Sequence, residues 1–256
     1  MKFVVAASKQ NTASMNIASF LEGTLPKGMG LHFFDSHICF TDEVNNVEAD
    51  AIIFASSHKS VMEKPTLTTH AIGNWGKAEL GGKAKTLVPT NAFLLKNYLL
   101  GLQEQKEKMK LDYEVTLEVT HHGPSLTKPV VFIELGSGEK QWSDKKAAEA
   151  VANTILEHTS VKGNFKPAIA FGGGHYCPEF TKLVLRTDYA LGHICPLYAL
   201  PDLNSDLAQQ AINATNPKAE SIILDWKGLK AEKQKVSQLS EESGLKVERV
   251  RPLLKQ

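Results

Sequence analysis

The residues in this chain best suited to chemistry lie in Glu118-Val119-Thr120-His121-His122-Gly123-Pro124. Along a regular strand successive side chains point to opposite faces. Thr116, Glu118, Thr120 and His122 then share one face, and Val115, Leu117, Val119 and His121 the other. Adjacent histidines ligate one metal only if the strand bends, and Gly123-Pro124 is placed to bend it. One solvent-facing and one hydrogen-bonded core histidine is the alternative. Glu134 sits inside the apolar run Val130-Val131-Phe132-Ile133-Glu134-Leu135. A carboxylate there is costly unless paired, hydrogen-bonded or bound to a cation. It reads as a metal ligand or general base, or as a strand-end ion pair. Gly172-Gly173-Gly174-His175-Tyr176 joins an apolar run to a helix opening near Pro178. Consecutive glycines let backbone N–H groups approach an anion or a developing oxyanion, and a tight turn without function is the alternative. With no GxGxxG and no P-loop lysine, nucleotide binding is poorly supported.

His58 follows another strand, in Ser56-Ser57-His58-Lys59-Ser60, and His193 lies in Gly192-His193. His70 and Asn74 fall in Thr66–Gly82, a glycine-rich and weakly periodic stretch read as a loop. In open α/β sheets, polar residues beyond the carboxyl ends of strands converge on the ligand crevice. His58, His121, His122 and His175 all hold that position, which points to one histidine-rich pocket. Neutral imidazoles with carboxylates suit Zn²⁺ with an open position for water. HExxH is absent, which excludes zincin chemistry. His32, His37 and His158 lack the setting and read as structural or surface residues.

These residues must be held by a scaffold in which strands alternate with helices. Phe3 to Ala7, Ala51 to Ala55, Val115 to Val119, Val130 to Leu135, Ala168 to Phe171 and Ser221 to Leu224 read as strands. Thr90 to Lys108, Ser143 to His158, Pro178 to Arg186, Ser205 to Ala214 and Ala231 to Ser243 read as helices. The fold class is therefore α/β: one domain over residues 1–256, with a mixed sheet covered by helices on both faces. The 42% apolar and 22% charged residues exclude disorder as the main state. The N-terminal MKFVVAAS is too short an apolar run for a signal peptide or a span, and reads as a first strand. Cys39, Cys177 and Cys195 make an odd count without CxxC spacing, so a reducing, cytoplasmic setting is expected. The net charge of +1 excludes a strongly basic coat. From Trp226 onward eight Lys and Arg face four acidic residues, a solvated face or a phosphate contact surface.

Taken together, these segments resemble the archaeal and plant type of D-aminoacyl-tRNA deacylase. The matching pieces are EVTHHGP (118–124), FIELGS (132–137), GGGHYCP (172–178), and Gly192-His193 with Tyr198. Thr69-His70, Gly73-Asn74-Trp75 and Asp225-Trp226-Lys227-Gly228 match as well, in order along nearly the whole chain. The resemblance implies a three-layer α/β/α sandwich related to phosphorylases and peptidyl-tRNA hydrolases. It also implies zinc, with two ions per subunit often assigned, and cleavage of the ester between a D-amino acid and tRNA. On this reading His58, His121, His122 and His175 are the metal-ligand candidates, with Glu134 as a further one. Glu118 or Glu134 is the general base, and the Gly173 and Gly174 N–H groups receive the oxyanion. His70, Asn74, Tyr176 and His193 are assigned to substrate binding. The expected partner is the acceptor end of D-aminoacyl-tRNA, met by a monomer, with neither DNA nor membrane as a partner. The rivals are another zinc-dependent or peptidyl-tRNA-type hydrolase on the same scaffold, and a tRNA-binding protein without turnover.

Overall fold

The computed structural model describes residues 1–255. Apolar, β-branched runs form most of its strands, which divide between two main sheets and two short two-stranded pairs, Gly73–Asn74 with Thr86–Leu87 and Thr90–Asn91 with Thr215–Asn216. The larger has the order Met29–Phe34, Phe3–Ser8, Ala51–Lys59, Val130–Ser137, Thr66–His70, Glu114–Leu117. It is mixed as expected, because Thr66–His70 runs antiparallel to Val130–Ser137 while its other pairs are parallel. The smaller sheet, with the order Tyr189–Cys195, Lys166–Phe171, Ser221–Leu224, Lys246–Arg249, is parallel throughout.

A shared core joins the sheets. Helix Ala92–Lys108 places Leu94, Leu95, Tyr98, Leu99 and Leu102 in one buried cluster. Val5, Ile53 and Val131 enter it from the larger sheet, and Ala168, Leu191 and Ile223 from the smaller. The far face of the smaller sheet packs on helix Ser205–Ala214 through Leu207, Ala211 and Ile212. Helices do not cover the far face of the larger sheet. There the short 3₁₀ turns Ile38–Phe40 and Asp42–Asn46, with neighbouring loops, bring Ile38, Val44, Val88 and Leu126 onto Ile52, Phe54 and Phe132.

Side-chain caps set the helix starts. The Asp144 carboxylate accepts from the Lys146 and Ala147 N–H groups, so that helix begins at Lys145 and not at Ser143. Asn91 accepts from Leu94 N–H in the same way, which starts the preceding helix at Ala92.

Two departures from the sequence reading matter for function. Thr66–His70, read as loop, is a fully buried strand. Its β-branched threonines fit a pleated, buried surface, a signal masked by the glycines that follow. The strand expected to run to Val119 ends at Leu117. Beyond it the Val119 N–H donates to His175 O at 3.0 Å and the Thr120 N–H to Ile194 O at 3.0 Å. The EVTHHGP segment therefore crosses from the larger sheet to the smaller, and strict face alternation does not govern Glu118 to His122.

Lys96 pins the central helix to the smaller sheet. Its buried ammonium donates to the carbonyls of Val184 at 2.6 Å, Thr187 at 2.5 Å and Tyr189 at 3.0 Å. Lys96→Met keeps the apolar stem and leaves these carbonyls without their donor. A loss of about 3 kcal/mol in unfolding free energy is expected by urea denaturation. Unchanged stability would show that solvent replaces the ammonium at no cost.

Candidate active site

The carboxyl ends of the central strands and the crossing segment build one cluster. His58 is the penultimate residue of Ala51–Lys59, and Ser56, two residues before it, pairs in register with Glu134. On the other side Thr68 pairs with Glu134, which brings the strand-end His70 alongside. The crossing segment supplies Glu118, His121 and His122, and the glycine loop supplies His175. His122 has a left-handed backbone, with φ of 46°. That local reversal, one residue before the expected bend, brings the His121 and His122 rings to 4.4 Å between centroids.

Glu118 is the hub. Its Oε1 lies 3.0 Å from His58 Nδ1, and its Oε2 lies 2.8 Å from His175 Nε2 and 3.5 Å from His121 Nε2. Glu134 Oε2 is 3.5 Å from His70 Nε2 and 3.8 Å from His58 Nδ1. The His70 ring stands 4.4 Å from His121 and 5.0 Å from His122. Tyr176 closes the outer edge, its hydroxyl 2.8 Å from His58 Nε2.

Burial and charge split the titrations. Burial alone raises the Glu118 carboxyl, but hydrogen bonds from His175 and His58 and the charge of His70 hold it well below the usual range. Glu134 is held low mainly by His70, against the same burial. For His58 and His70 burial pulls downward, and the facing carboxylates more than offset it. His121 and His122 go the other way. Burial, with neighbouring imidazoles, pushes His121 well down and His122 to about 4, so both rings are neutral at pH 7.

A cavity of about 530 Å³ opens onto this cluster, lined by His58, His121, His122, Glu134 and His175. Its other wall carries residues the sequence reading passed over: Asn11, Ser56, Ser57, Cys39 and Trp142. Trp142 also donates its indole N–H to His58 O at 2.9 Å. The serines adjoin His58, which was a usable signal; Asn11 and Trp142 arrive from distant segments and gave none. His37, read as structural or surface, lines the cavity too, while its Nδ1 accepts from Cys39 N–H at 3.3 Å. A second cavity of about 390 Å³ lies against the same His121 and His122.

Several assigned residues take other places. His70 belongs inside the cluster, 1% exposed, and not at the substrate surface. His193 is 0% exposed, with its Nδ1 3.2 Å from Thr120 Oγ1, and lines neither cavity. Asn74 lines the second cavity but spends its amide on Gly81 O at 2.9 Å and Lys83 O at 3.3 Å, which ties down its own loop. The glycines are not at the cluster. Gly173 N sits 2.6 Å from where a Cβ on Gly228 would lie, against the Asp225–Gly228 turn, and Gly174 is exposed. Neither lines a cavity of the site. Glu118 lines neither cavity, whereas Glu134 faces the larger one.

The donors fit divalent metal. His70, His121 and His122 form one group whose ligand atoms lie within 4.8 Å of one another, and His58, Glu118 and His175 form another within the same limit. His70 Nε2 is buried, and its one near partner is Glu134 Oε2 at 3.5 Å, too long for a good hydrogen bond. A buried nitrogen in that state is costly unless something outside the chain engages it.

A family model for D-aminoacyl-tRNA deacylase matches residues 45–248. The chain belongs to the D-aminoacyl-tRNA deacylase family. Curated relatives bearing that name include one from Pyrococcus furiosus, 39% identical over 80% of this chain and 75% of its own. One from Methanocaldococcus jannaschii is 35% identical over 98% of this chain and 100% of its own. A crystal structure titled as a conserved protein of unknown function, AF0625, superposes with a TM-score of 0.93 at 30% identity. It covers 100% of this chain and 97% of that one. His58, His70, Glu118, His121, His122, Glu134 and His175 all fall inside the span that the deacylase family model matches. Among the described residues no helix is long and apolar enough to cross a membrane.

Proposed function

We infer that this protein hydrolyses the ester joining a D-amino acid to the 3′ end of tRNA, at the Glu118–Glu134 histidine cluster with Zn²⁺ held there. It thereby frees tRNA for reuse and keeps D-residues out of translation in the cytoplasm. The observation that carries the reading is the coincidence of two things: membership of the deacylase family, and five imidazoles with two carboxylates converging beside a cavity. Two of the three-ligand groups share no residue, which supports two ions per chain, and a third, His70–Glu118–Glu134, bridges them.

Zn²⁺ bound by these residues supplies Lewis-acid polarisation of the ester carbonyl and lowers the pKa of an adjacent water. The chain's own groups do the rest. Glu134 faces the cavity and is ionised at neutral pH, so it can accept a proton from the attacking water. Glu118 shows no face to the cavity, and both its oxygens are taken up by imidazoles, so it is poorly placed to be the base. Its two oxygens hold His58 and His175 in one orientation and complete with them a three-ligand group. His121 and His122, kept neutral by burial, offer lone pairs to an ion.

Chirality is read by shape: the cavity wall admits the D side chain and obstructs the L one. D-tyrosyl-tRNA should be cleaved about a hundredfold faster than L-tyrosyl-tRNA, the discrimination a shaped pocket can deliver. Acid-precipitable counts from each ester, followed over time, test it. Equal rates would refute the reading.

A further inference from the structure

We propose that the smaller cavity seats the terminal adenosine of the substrate, with Tyr198 stacking on its base; the proposal rests on the deacylase reading above. An ester has an acyl side and an alkoxy side, and the groups that cleave it must lie between the two. His121 and His122 occupy such a position, because both rings line the larger cavity and the smaller one. The only carboxylate of the cluster to reach either cavity, Glu134, faces the larger. The smaller cavity is lined by carboxylates too, Glu79 and Asp202, so charge does not divide the two sides and the aromatic lining must. Trp75 and Tyr198 line the smaller chamber, which assigns it the nucleoside.

The lining of that chamber suits a nucleoside. Tyr198 presents a ring that is 62% exposed, unusual for a large aromatic side chain and open to a base of any identity. Trp75 is 3% exposed and also lines the chamber, and its buried indole N–H has no hydrogen-bond partner among the described residues. An orphaned donor of that kind calls for an acceptor from outside the chain. Asp202 offers a carboxylate for ribose hydroxyls, and the exposed Lys77 offers a cation for the adjoining phosphate. A lipid tail would use neither the ring face nor this pairing of charges.

The probe is adenosine 5′-monophosphate, titrated calorimetrically into the full-length protein and added as an inhibitor of D-tyrosyl-tRNA cleavage. AMP should bind and compete with the substrate. Tyr198→Ala should weaken AMP binding about tenfold, as loss of one base stack does, and lower kcat/KM by the same factor through KM. Tyr198→Phe keeps the ring and should retain both. Melting temperatures of both variants should match the parent, since the side chain is exposed. AMP that fails to bind or compete, an unchanged affinity in Tyr198→Ala, or an equal loss in Tyr198→Phe would each overturn the proposal. Absence of D-tyrosyl-tRNA cleavage by the parent protein would instead overturn the deacylase reading, and the AMP titration would still decide what the chamber holds.

Discussion

Replacing Glu118 with glutamine lowers single-turnover cleavage of D-tyrosyl-tRNA by about a hundredfold, the cost of losing a group that orients its neighbours. Glutamine fills the same space but carries no charge, and one of its two head atoms is a donor. The carboxylate it replaces is 1% exposed and takes His175 at 2.8 Å and His58 at 3.0 Å through different oxygens. After the change one imidazole faces an N–H group and must turn its ring or its tautomer. The same variant should bind Zn²⁺ about tenfold to a hundredfold more weakly, a readout independent of turnover. A folded Glu118→Gln protein with parental rate and metal affinity would show that the hub is merely structural.

Removal of metal has the larger expected effect. Chelation followed by desalting should lower turnover by about a thousandfold, because Lewis-acid stabilisation is worth several kcal/mol and each 1.36 kcal/mol is tenfold in rate. Added Zn²⁺ should restore it. Metal content gives the second readout: two ions per chain in the parent, and about one in His122→Ala or in His175→Ala. Each of these histidines belongs to a different three-ligand group. Full activity in a protein shown to be metal-free would end the zinc reading and leave positioning by the chain as the source of rate.

Much of this was legible locally. Helices Pro178–Arg186 and Ser205–Ala214 and strand Ser221–Leu224 fall on the bounds read from the sequence, because caps, prolines and apolar runs are short-range signals. Met29–Phe34 and Tyr189–Cys195 were missed because glycine and histidine interrupt their apolar pattern, and Lys246–Arg249 because it is a polar edge strand. Helix Thr12–Leu21 was missed too, with alanine and serine diluting its apolar stripe. The site divides in the same way. His58, His121, His122 and His175 could be picked out because each follows an apolar run and precedes a turn. The place of His70 could not, since it depends on an antiparallel register that sets Thr68 against Glu134. Nor could the placement of Gly173 against the Asp225–Gly228 turn, more than fifty residues further along the chain.

The most direct test of the central claim is the rate of D-tyrosine release from D-tyrosyl-tRNA by Glu134→Gln beside the parent, both loaded with Zn²⁺ and matched in melting temperature. Glu134 is the one carboxylate of the cluster that faces the cavity, and general-base loss costs about a hundredfold to ten-thousandfold. A loss in that range, with the parent cleaving L-tyrosyl-tRNA about a hundredfold more slowly than the D ester, is the predicted result. Release at the parental rate from the folded variant would place the hydrolytic centre elsewhere.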